Sequence, residues 1–128
     1  MTILVTGAGG QLGYTVSSTL ESLHRVVALG RGELDLVRSA AVLDVVHDLE
    51  PDAIINCAAY TNVDGAEDDP VTAFNVNAFA VRTLAHAARD VDATLVHYST
   101  DFVFDGEADT PYTEEDSTNP QSAYAMSK

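Results

Sequence analysis

The chain has 128 residues, enough for one domain with a hydrophobic core and too few for two. Its 20 acidic residues against 6 basic ones give a net charge of −14, which disfavours nucleic acid and anionic membranes as partners. No apolar run approaches the length of a membrane span and the amino terminus lacks the features of a signal peptide, so we expect a cytoplasmic protein.

The first element in chain order is an apolar strand at residues 3–5, and a glycine-rich turn follows it at once. Gly7 permits a tight turn, Gly10 lets backbone amides approach a pyrophosphate, and Gly13 lets the next helix pack closely. The order of strand, glycine turn and helix predicts a dinucleotide site, with the phosphates at the positive end of the helix.

Strands and helices then alternate along the chain. We expect strands at 25–29, 53–57 and 94–98 and helices at 14–23, at 40–49 and from Asp69 and Pro70 to residue 89. The first helix should have Val16, Leu20 and Leu23 on its apolar face. The last should face the sheet with Phe74, Val81, Leu84 and Ala85. This alternation predicts an α/β protein with a Rossmann-type, doubly wound parallel sheet.

Loops replace the alternation after the fourth strand, and a further helix is expected to begin at Tyr124. A complete fold of this type needs that helix and at least one more strand. We therefore expect the sheet to be incomplete at its carboxyl end, with residues 1–128 forming the front part of an NAD(P)-binding domain and a carboxyl-terminal substrate domain lying outside the chain.

The only lysine, Lys128, stands four residues after Tyr124. Residues four apart share one face of a helix, so the ammonium can favour the ionised form of the phenol and make it a usable proton donor. Lys128 would also bind the hydroxyls of a nicotinamide ribose.

Ser99, Thr100 and Asp101 follow the fourth strand, at the sheet edge where ligands bind in open parallel sheets. The Thr100 hydroxyl could hold a substrate carbonyl oxygen or could simply cap a turn. The residues show no metal-binding spacing, and Cys57 is expected to be a small core residue. Abundant acid with almost no lysine is typical of proteins from salt-loving microbes.

Six segments resemble an extended short-chain dehydrogenase/reductase, and within that class the dTDP-4-dehydrorhamnose reductase family. They are TGAGGQLG at 6–13, ELDL at 33–36, PDAIINCAAYTNVDGAE at 51–67, FNVNAFAV at 74–81, LVHYSTDFVFDG at 95–106 and PYTEEDSTNPQSAYAMSK at 111–128. The resemblance implies NADPH-dependent reduction of a dTDP-linked 4-keto-6-deoxyhexose at C4.

The resemblance also implies a role for each matching residue. The catalytic group would be Thr100, Tyr124 and Lys128; the coenzyme phosphates would lie against Gly7, Gly10, Gln11, Leu12 and Gly13; the adenine against Asp35 and Leu36; the ribose and nicotinamide against Ala58, Ala59, Tyr60, Ser99, Tyr124 and Lys128; and the sugar nucleotide against Thr100, Asp101 and Phe102.

The choice of coenzyme can be argued from the end of the second strand. An acidic residue there would bind the adenosine ribose and favour NADH, but the chain has Gly30 followed by Arg31. Because a guanidinium can pair with a 2′-phosphate, we favour NADPH over NADH, with use of both left open.

Two other functions remain open from the sequence. The first is another sugar-nucleotide epimerase or dehydratase of the same class. The second is a non-catalytic, NADP-binding regulatory subunit resembling the methionine adenosyltransferase beta subunit. A homodimer is also left open. We expect the 128-residue chain itself to bind coenzyme weakly and not to turn over substrate, because its last helix is short.

Overall fold

A computed structural model describes residues 1–128 and shows four parallel strands with helices on both faces. The strands are β1 (Thr2–Thr6), β2 (Arg25–Leu29), β3 (Ala53–Asn56) and β4 (Thr94–His97), in the spatial order β2-β1-β3-β4. All three pairings are parallel. The predicted α/β, doubly wound fold is confirmed.

Six α-helices connect and follow the strands. They are α1 (Gln11–Leu20), α2 (Ser39–Leu49), α3 (Val63–Asp68), α4 (Pro70–Phe74), α5 (Ala80–Asp90) and α6 (Ala123–Ser127), with a π-helical turn at Asn75–Phe79 and a 3₁₀ turn at Asp101–Val103. None of the helices combines the length and the apolar character needed to cross a membrane.

The sheet buries apolar side chains on both faces, as expected for parallel strands covered by helices. On one face, Leu4 of β1 and Ile54 of β3 are fully buried in a core shared with α2 and α5. On the other face, Ile3 and Val5 pack against α1. Neighbouring residues of one strand therefore belong to different cores, because their side chains alternate across the sheet.

The first helix begins three residues earlier than predicted and ends at Leu20. Val16 and Leu20 pack on the sheet as expected, but Leu23 is 77% exposed, so its prediction as a core residue is wrong. Leu23 lies beyond the helix, in a turn in which its backbone N–H donates to the Leu20 carbonyl oxygen (3.0 Å). Helical spacing therefore no longer applies to Leu23.

The long helix predicted for residues 70–89 contains a π-helical turn at Asn75–Phe79. An extra residue in one turn rotates every following side chain by about 100° relative to a continuous α-helix. Leu84 is buried as predicted, but Ala85 is exposed. The remaining core positions of α5 are Ala80, Ala87 and Ala88.

A short helix before this long segment was not predicted. Helix α3 begins after Asn62, whose side chain accepts a hydrogen bond from the Gly65 backbone N–H (3.0 Å). The predicted cap at Asp69 is confirmed, since its carboxylate accepts from the Thr72 backbone N–H (3.1 Å) and Pro70 is the first residue of α4.

Candidate functional site

The chain crosses from one half of the sheet to the other at β1, which lies between β2 and β3. In doubly wound sheets ligands bind at this switch point, outside the carboxyl ends of the strands. Gly7 follows β1 there with a φ of +70°, and a Cβ on it would lie 2.5 Å from the Ala58 backbone nitrogen. Only glycine allows the turn after β1 to approach the loop after β3 so closely.

Gly13 in the first full turn of α1 is equally constrained. A Cβ on Gly13 would lie 2.3 Å from the Gly7 carbonyl oxygen and 2.8 Å from the Ala8 Cα. The helix therefore packs directly on the backbone of the turn. At Gly9, by contrast, a Cβ would meet nothing within 4 Å, which leaves the outer surface of the turn open to a ligand.

A cleft of about 350 Å³ lies at the switch point. Eight of the predicted coenzyme residues line it, namely Gly7, Gly10, Arg31, Asp35, Leu36, Ala58, Ala59 and Tyr60. Six further lining residues were not predicted to bind coenzyme, namely Gly9, Leu34, Val37, Cys57, Thr72 and Val76. Gln11, Leu12 and Gly13 lie at the start of α1, outside the cleft wall.

Two of the unpredicted lining residues come from the segment of α4 and the π-helical turn. Thr72 and Val76 are four residues apart and both line the cleft. Cys57 was predicted to be a core residue but is only partly buried at the cleft wall, and burial raises the pKa of its thiol. The sequence gives no signal for Val76 and Cys57, because the apolar residues of a core and of a cleft wall cannot be told apart by type.

The loop after β2 contains an acid that the prediction overlooked. The Glu33 carboxylate accepts a hydrogen bond from the Gly30 backbone N–H (2.9 Å). Although Glu33 is three residues further along the chain, its carboxylate therefore lies at the end of β2. Arg31 lines the cleft and is exposed. The loop after β2 thus carries both a cation, Arg31, and an anion, Glu33.

A buried chain of polar side chains joins the carboxyl ends of three strands. Thr6 Oγ1 donates to Asn56 Oδ1 (2.7 Å), and the same oxygen accepts from the Ala58 backbone N–H (3.1 Å). Asn56 Nδ2 lies 3.1 Å from His97 Nδ1, and since an amide nitrogen only donates, the imidazole nitrogen accepts. The chain fixes the loop that begins at Ala58.

The His97 ring is the end of this chain. Its Nε2 is buried without a hydrogen-bond partner. Burial, and to a smaller extent the charge of Lys128, lowers the pKa of His97. The ring is therefore neutral at neutral pH, and it does not add a second positive charge beside Lys128.

Helix α6 has only five residues, but three side chains hold its amino-terminal turn. Ser122 caps it by accepting from the Ala125 backbone N–H (3.1 Å). The Glu67 carboxylate of α3 accepts from the Ala123 backbone N–H (2.7 Å). Tyr124 is 9% exposed and packs with Ala66 and Ala73. The short helix is thus stabilised by tertiary contacts rather than by its own length.

The predicted acid–base pair lies on this helix. Lys128 is the C-cap residue that follows it, and Lys128 Nζ donates to the Tyr98 carbonyl oxygen at the end of β4 (2.7 Å). Burial lowers the pKa of Lys128. The edge of the Phe102 ring packs against the Tyr124 ring, with centroids 6.0 Å apart. The structure therefore brings Phe102 into contact with Tyr124 and holds Lys128 Nζ at the carboxyl end of β4.

Thr100 and Asp101 lie beside this group but bond to each other. Thr100 Oγ1 donates to Asp101 Oδ1 (3.2 Å) and accepts from the Phe102 backbone N–H (3.2 Å). The hydroxyl therefore caps the 3₁₀ turn, which is the second of the two roles predicted for it. Ser99 is exposed at the same strand end.

The loop between the 3₁₀ turn and α6 is organised by Asp105. Its carboxylate accepts from Tyr112 Oη (2.6 Å), from Asn119 Nδ2 (3.0 Å) and from the Glu107 backbone N–H (3.1 Å). These bonds, the Tyr112 one first, lower the pKa of Asp105 from 3.8 to about 2. Their contribution to stability is complete above pH 3.8 and is lost as the pH falls toward 2.

The fold and the cleft together define the class of the protein. A doubly wound parallel sheet, with a glycine turn packed against the loop after β3 at its switch point, is a Rossmann-type α/β domain. Comparison with known proteins then gives the family. The sequence model described as RmlD substrate binding domain matches residues 1–128. The chain belongs to this family, that of the dTDP-4-dehydrorhamnose reductases, and represents its amino-terminal part.

Individual relatives agree with this assignment. A dTDP-4-dehydrorhamnose reductase of Burkholderia thailandensis is 49% identical over 128 residues, which are 100% of this chain and 43% of that protein. A crystal structure of the reductase from Clostridium acetobutylicum matches with a TM-score of 0.97 and 43% identity, over 99% of this chain and 46% of that one. The chain thus spans less than half the length of these relatives.

One solved relative carries a coenzyme. The Bacillus anthracis reductase, in complex with NADP, matches with a TM-score of 0.95 and 36% identity over 98% of this chain and 45% of that one. The resemblance inferred from six sequence segments is therefore confirmed at the level of the family.

Proposed function

We propose that the protein, in its full-length form, uses NADPH to reduce the C4 ketone of a dTDP-linked 4-keto-6-deoxyhexose. The observation that carries the proposal is the position of Tyr124 and Lys128, on a helix anchored to the end of β4. The names of the relatives support the substrate class. The open surface of the turn at Gly9 and the adjoining cleft fit a dinucleotide.

In this proposal the chain holds the coenzyme along the switch point. Gly7, Gly10 and the start of α1 would bind the phosphates, Asp35 and Leu36 would border the adenine, and Ala58 to Tyr60 would border the nicotinamide side. When bound, NADPH supplies the hydride that adds to C4 of the sugar.

The chain's own residues supply the proton and orient the ketone. Tyr124 Oη donates its proton to the C4 oxygen as the hydride reaches carbon, so the carbonyl becomes a hydroxyl. The Lys128 ammonium stabilises the resulting tyrosinate and binds the nicotinamide ribose. Thr100 Oγ1 would turn from Asp101 to the ketone oxygen, and Asp101 and Phe102 would border the sugar nucleotide.

The test is turnover by a full-length version, supplied with a dTDP-4-keto-6-deoxyhexose and followed by loss of NADPH absorbance in concentrated potassium chloride. Appearance of the corresponding 6-deoxyhexose at the rate of NADPH loss is the expected result. Tight coenzyme binding without consumption, with every 4-keto sugar nucleotide tried, would instead indicate the regulatory subunit. A product epimerised or dehydrated without net coenzyme use would indicate the other enzyme classes.

The preference for NADPH is proposed to rest on Arg31. Replacing Arg31 by alanine is expected to raise the Kd for NADPH about 10-fold and to leave the Kd for NADH within about twofold, because only NADPH carries the 2′-phosphate. Nicotinamide fluorescence measures both constants. Arg38→Ala is the matched control, since Arg38 is also exposed but lies outside the cleft wall. Equal weakening of both coenzymes by Arg31→Ala would contradict the proposal.

A further inference from the structure

Asn77 is a buried amide in the middle of the π-helical turn. It is 3% exposed, and a buried amide is costly unless its polar atoms are paired. Asn77 Oδ1 accepts from the Tyr60 backbone N–H (2.8 Å), and Asn77 Nδ2 donates to the Tyr60 carbonyl oxygen (3.0 Å) and to Ser127 Oγ (2.9 Å). Both hydrogens of the amide nitrogen are therefore used, in two different directions.

The first direction is the cleft. Tyr60 belongs to the loop after β3 that lines the cleft. Both of its backbone polar groups bond to the one Asn77 side chain, as they would to a neighbouring strand. Asn77 thus fixes the position of the Tyr60 backbone in the loop that lines the cleft.

The second direction is the helix that carries the proton donor. Ser127 is 2% exposed and lies immediately before Lys128. Its hydroxyl accepts a hydrogen bond from Asn77 and donates one to the Tyr124 carbonyl oxygen (2.7 Å). A directional chain of hydrogen bonds therefore runs from Asn77 through Ser127 to the backbone of Tyr124.

We propose that Asn77 is a positioning residue that sets the distance between the coenzyme loop at Tyr60 and the helix bearing Tyr124 and Lys128, with Ser127 as the link to that helix. The expected effect on kcat rests on the proposed function. Asn77 touches neither coenzyme nor substrate in this role; it acts through the two segments that do.

The two branches of the Asn77 contact, one to the Tyr60 backbone and one to Ser127, can be separated by substitution. Ser127→Ala removes only the link to α6, so kcat of a full-length version should fall about 10-fold while the Kd for NADPH stays within about twofold. Asn77→Ala removes both branches and should lower kcat similarly while also raising the Kd for NADPH. In the double variant kcat should equal that of Asn77→Ala alone, because the shared contact can be lost only once.

Val46→Ala is the control for a loss of stability alone. Val46 is fully buried in α2, away from the cleft. The Val46→Ala substitution should lower the melting temperature without changing the kcat of the folded fraction or the Kd for NADPH. Multiplicative kcat effects of Asn77→Ala and Ser127→Ala, or a kcat for Ser127→Ala within twofold of wild type, would overturn the proposal.

A measurement without turnover separates this proposal from the proposed function. Lys128 is the only lysine of the 128-residue chain, so reductive methylation with ¹³C-formaldehyde places a single ε-amine signal in its NMR spectrum, apart from that of the α-amine. We expect Asn77→Ala, whose amide bonds to the neighbouring Ser127, to move or broaden this signal, and Val46→Ala to leave it in place. An unmoved signal in Asn77→Ala would refute the positioning role, whatever sugar the protein reduces.

Discussion

Replacing Tyr124 by phenylalanine should lower kcat of a full-length version by about 10²- to 10⁴-fold, the range by which a positioned general acid accelerates a reaction. The phenylalanine ring still fills the pocket formed by Ala66 and Ala73 and still meets the edge of Phe102. Only the hydroxyl is lost, so the melting temperature and the Kd for NADPH should stay close to those of wild type. Stopped-flow measurement of NADPH oxidation gives the rate.

The chain offers a matched control for this substitution. Tyr14 on α1 is 70% exposed, and Tyr14→Phe removes the same atom far from α6. Its kcat should equal that of wild type. If Tyr124→Phe retained more than about a tenth of the wild-type kcat, another group would be the proton donor, and the assignment of α6 as the catalytic helix would be wrong.

Replacing Gly13 by valine should abolish coenzyme binding and reduce the free energy of unfolding. Even its Cβ would lie 2.3 Å from the Gly7 carbonyl oxygen, so α1 must move away from the turn. Overpacking of this kind costs about 1–3 kcal/mol, and the displaced helix no longer presents its amino terminus to the phosphates. NADPH fluorescence and urea unfolding measure the two effects.

Gly32→Ala is the control for this second prediction. A Cβ at Gly32 meets nothing within 4 Å, and Gly32 is outside the cleft wall. Its Kd and free energy of unfolding should therefore match those of wild type. A Gly13→Val chain that bound NADPH with wild-type affinity would show that the turn and α1 can separate without affecting the site.

The parts of the fold that follow from repeated patterns were predictable from the sequence. The strand at Arg25–Leu29 was predicted residue for residue, because a short apolar run between polar segments has few other interpretations. The glycine turn was also predictable, since glycines at this spacing between a strand and a helix allow the positive φ of Gly7 and the close packing of Gly13 on the turn.

The features that were missed depend on tertiary contacts. The π-helical turn changes the phase of α5 without any local signal in residues 75–79, and Asn77 within it makes sense only once Tyr60 and Ser127 are seen beside it. The carboxylate of Glu33 reaches the end of β2 through a loop whose path the sequence does not specify. The bond between Thr100 and Asp101 depends on the 3₁₀ turn, which the sequence does not indicate.

The anchoring of α6 also bears on the order in which the protein folds. Its contacts with Glu67, Asn77 and Tyr98 connect residues 56, 50 and 30 positions apart. A five-residue helix has no stability of its own, and each of these loops closes only at an entropic cost. We therefore expect helix α6 to dock only after the end of β4, α3 and the π-helical turn, which carry its hydrogen-bond partners, have come together.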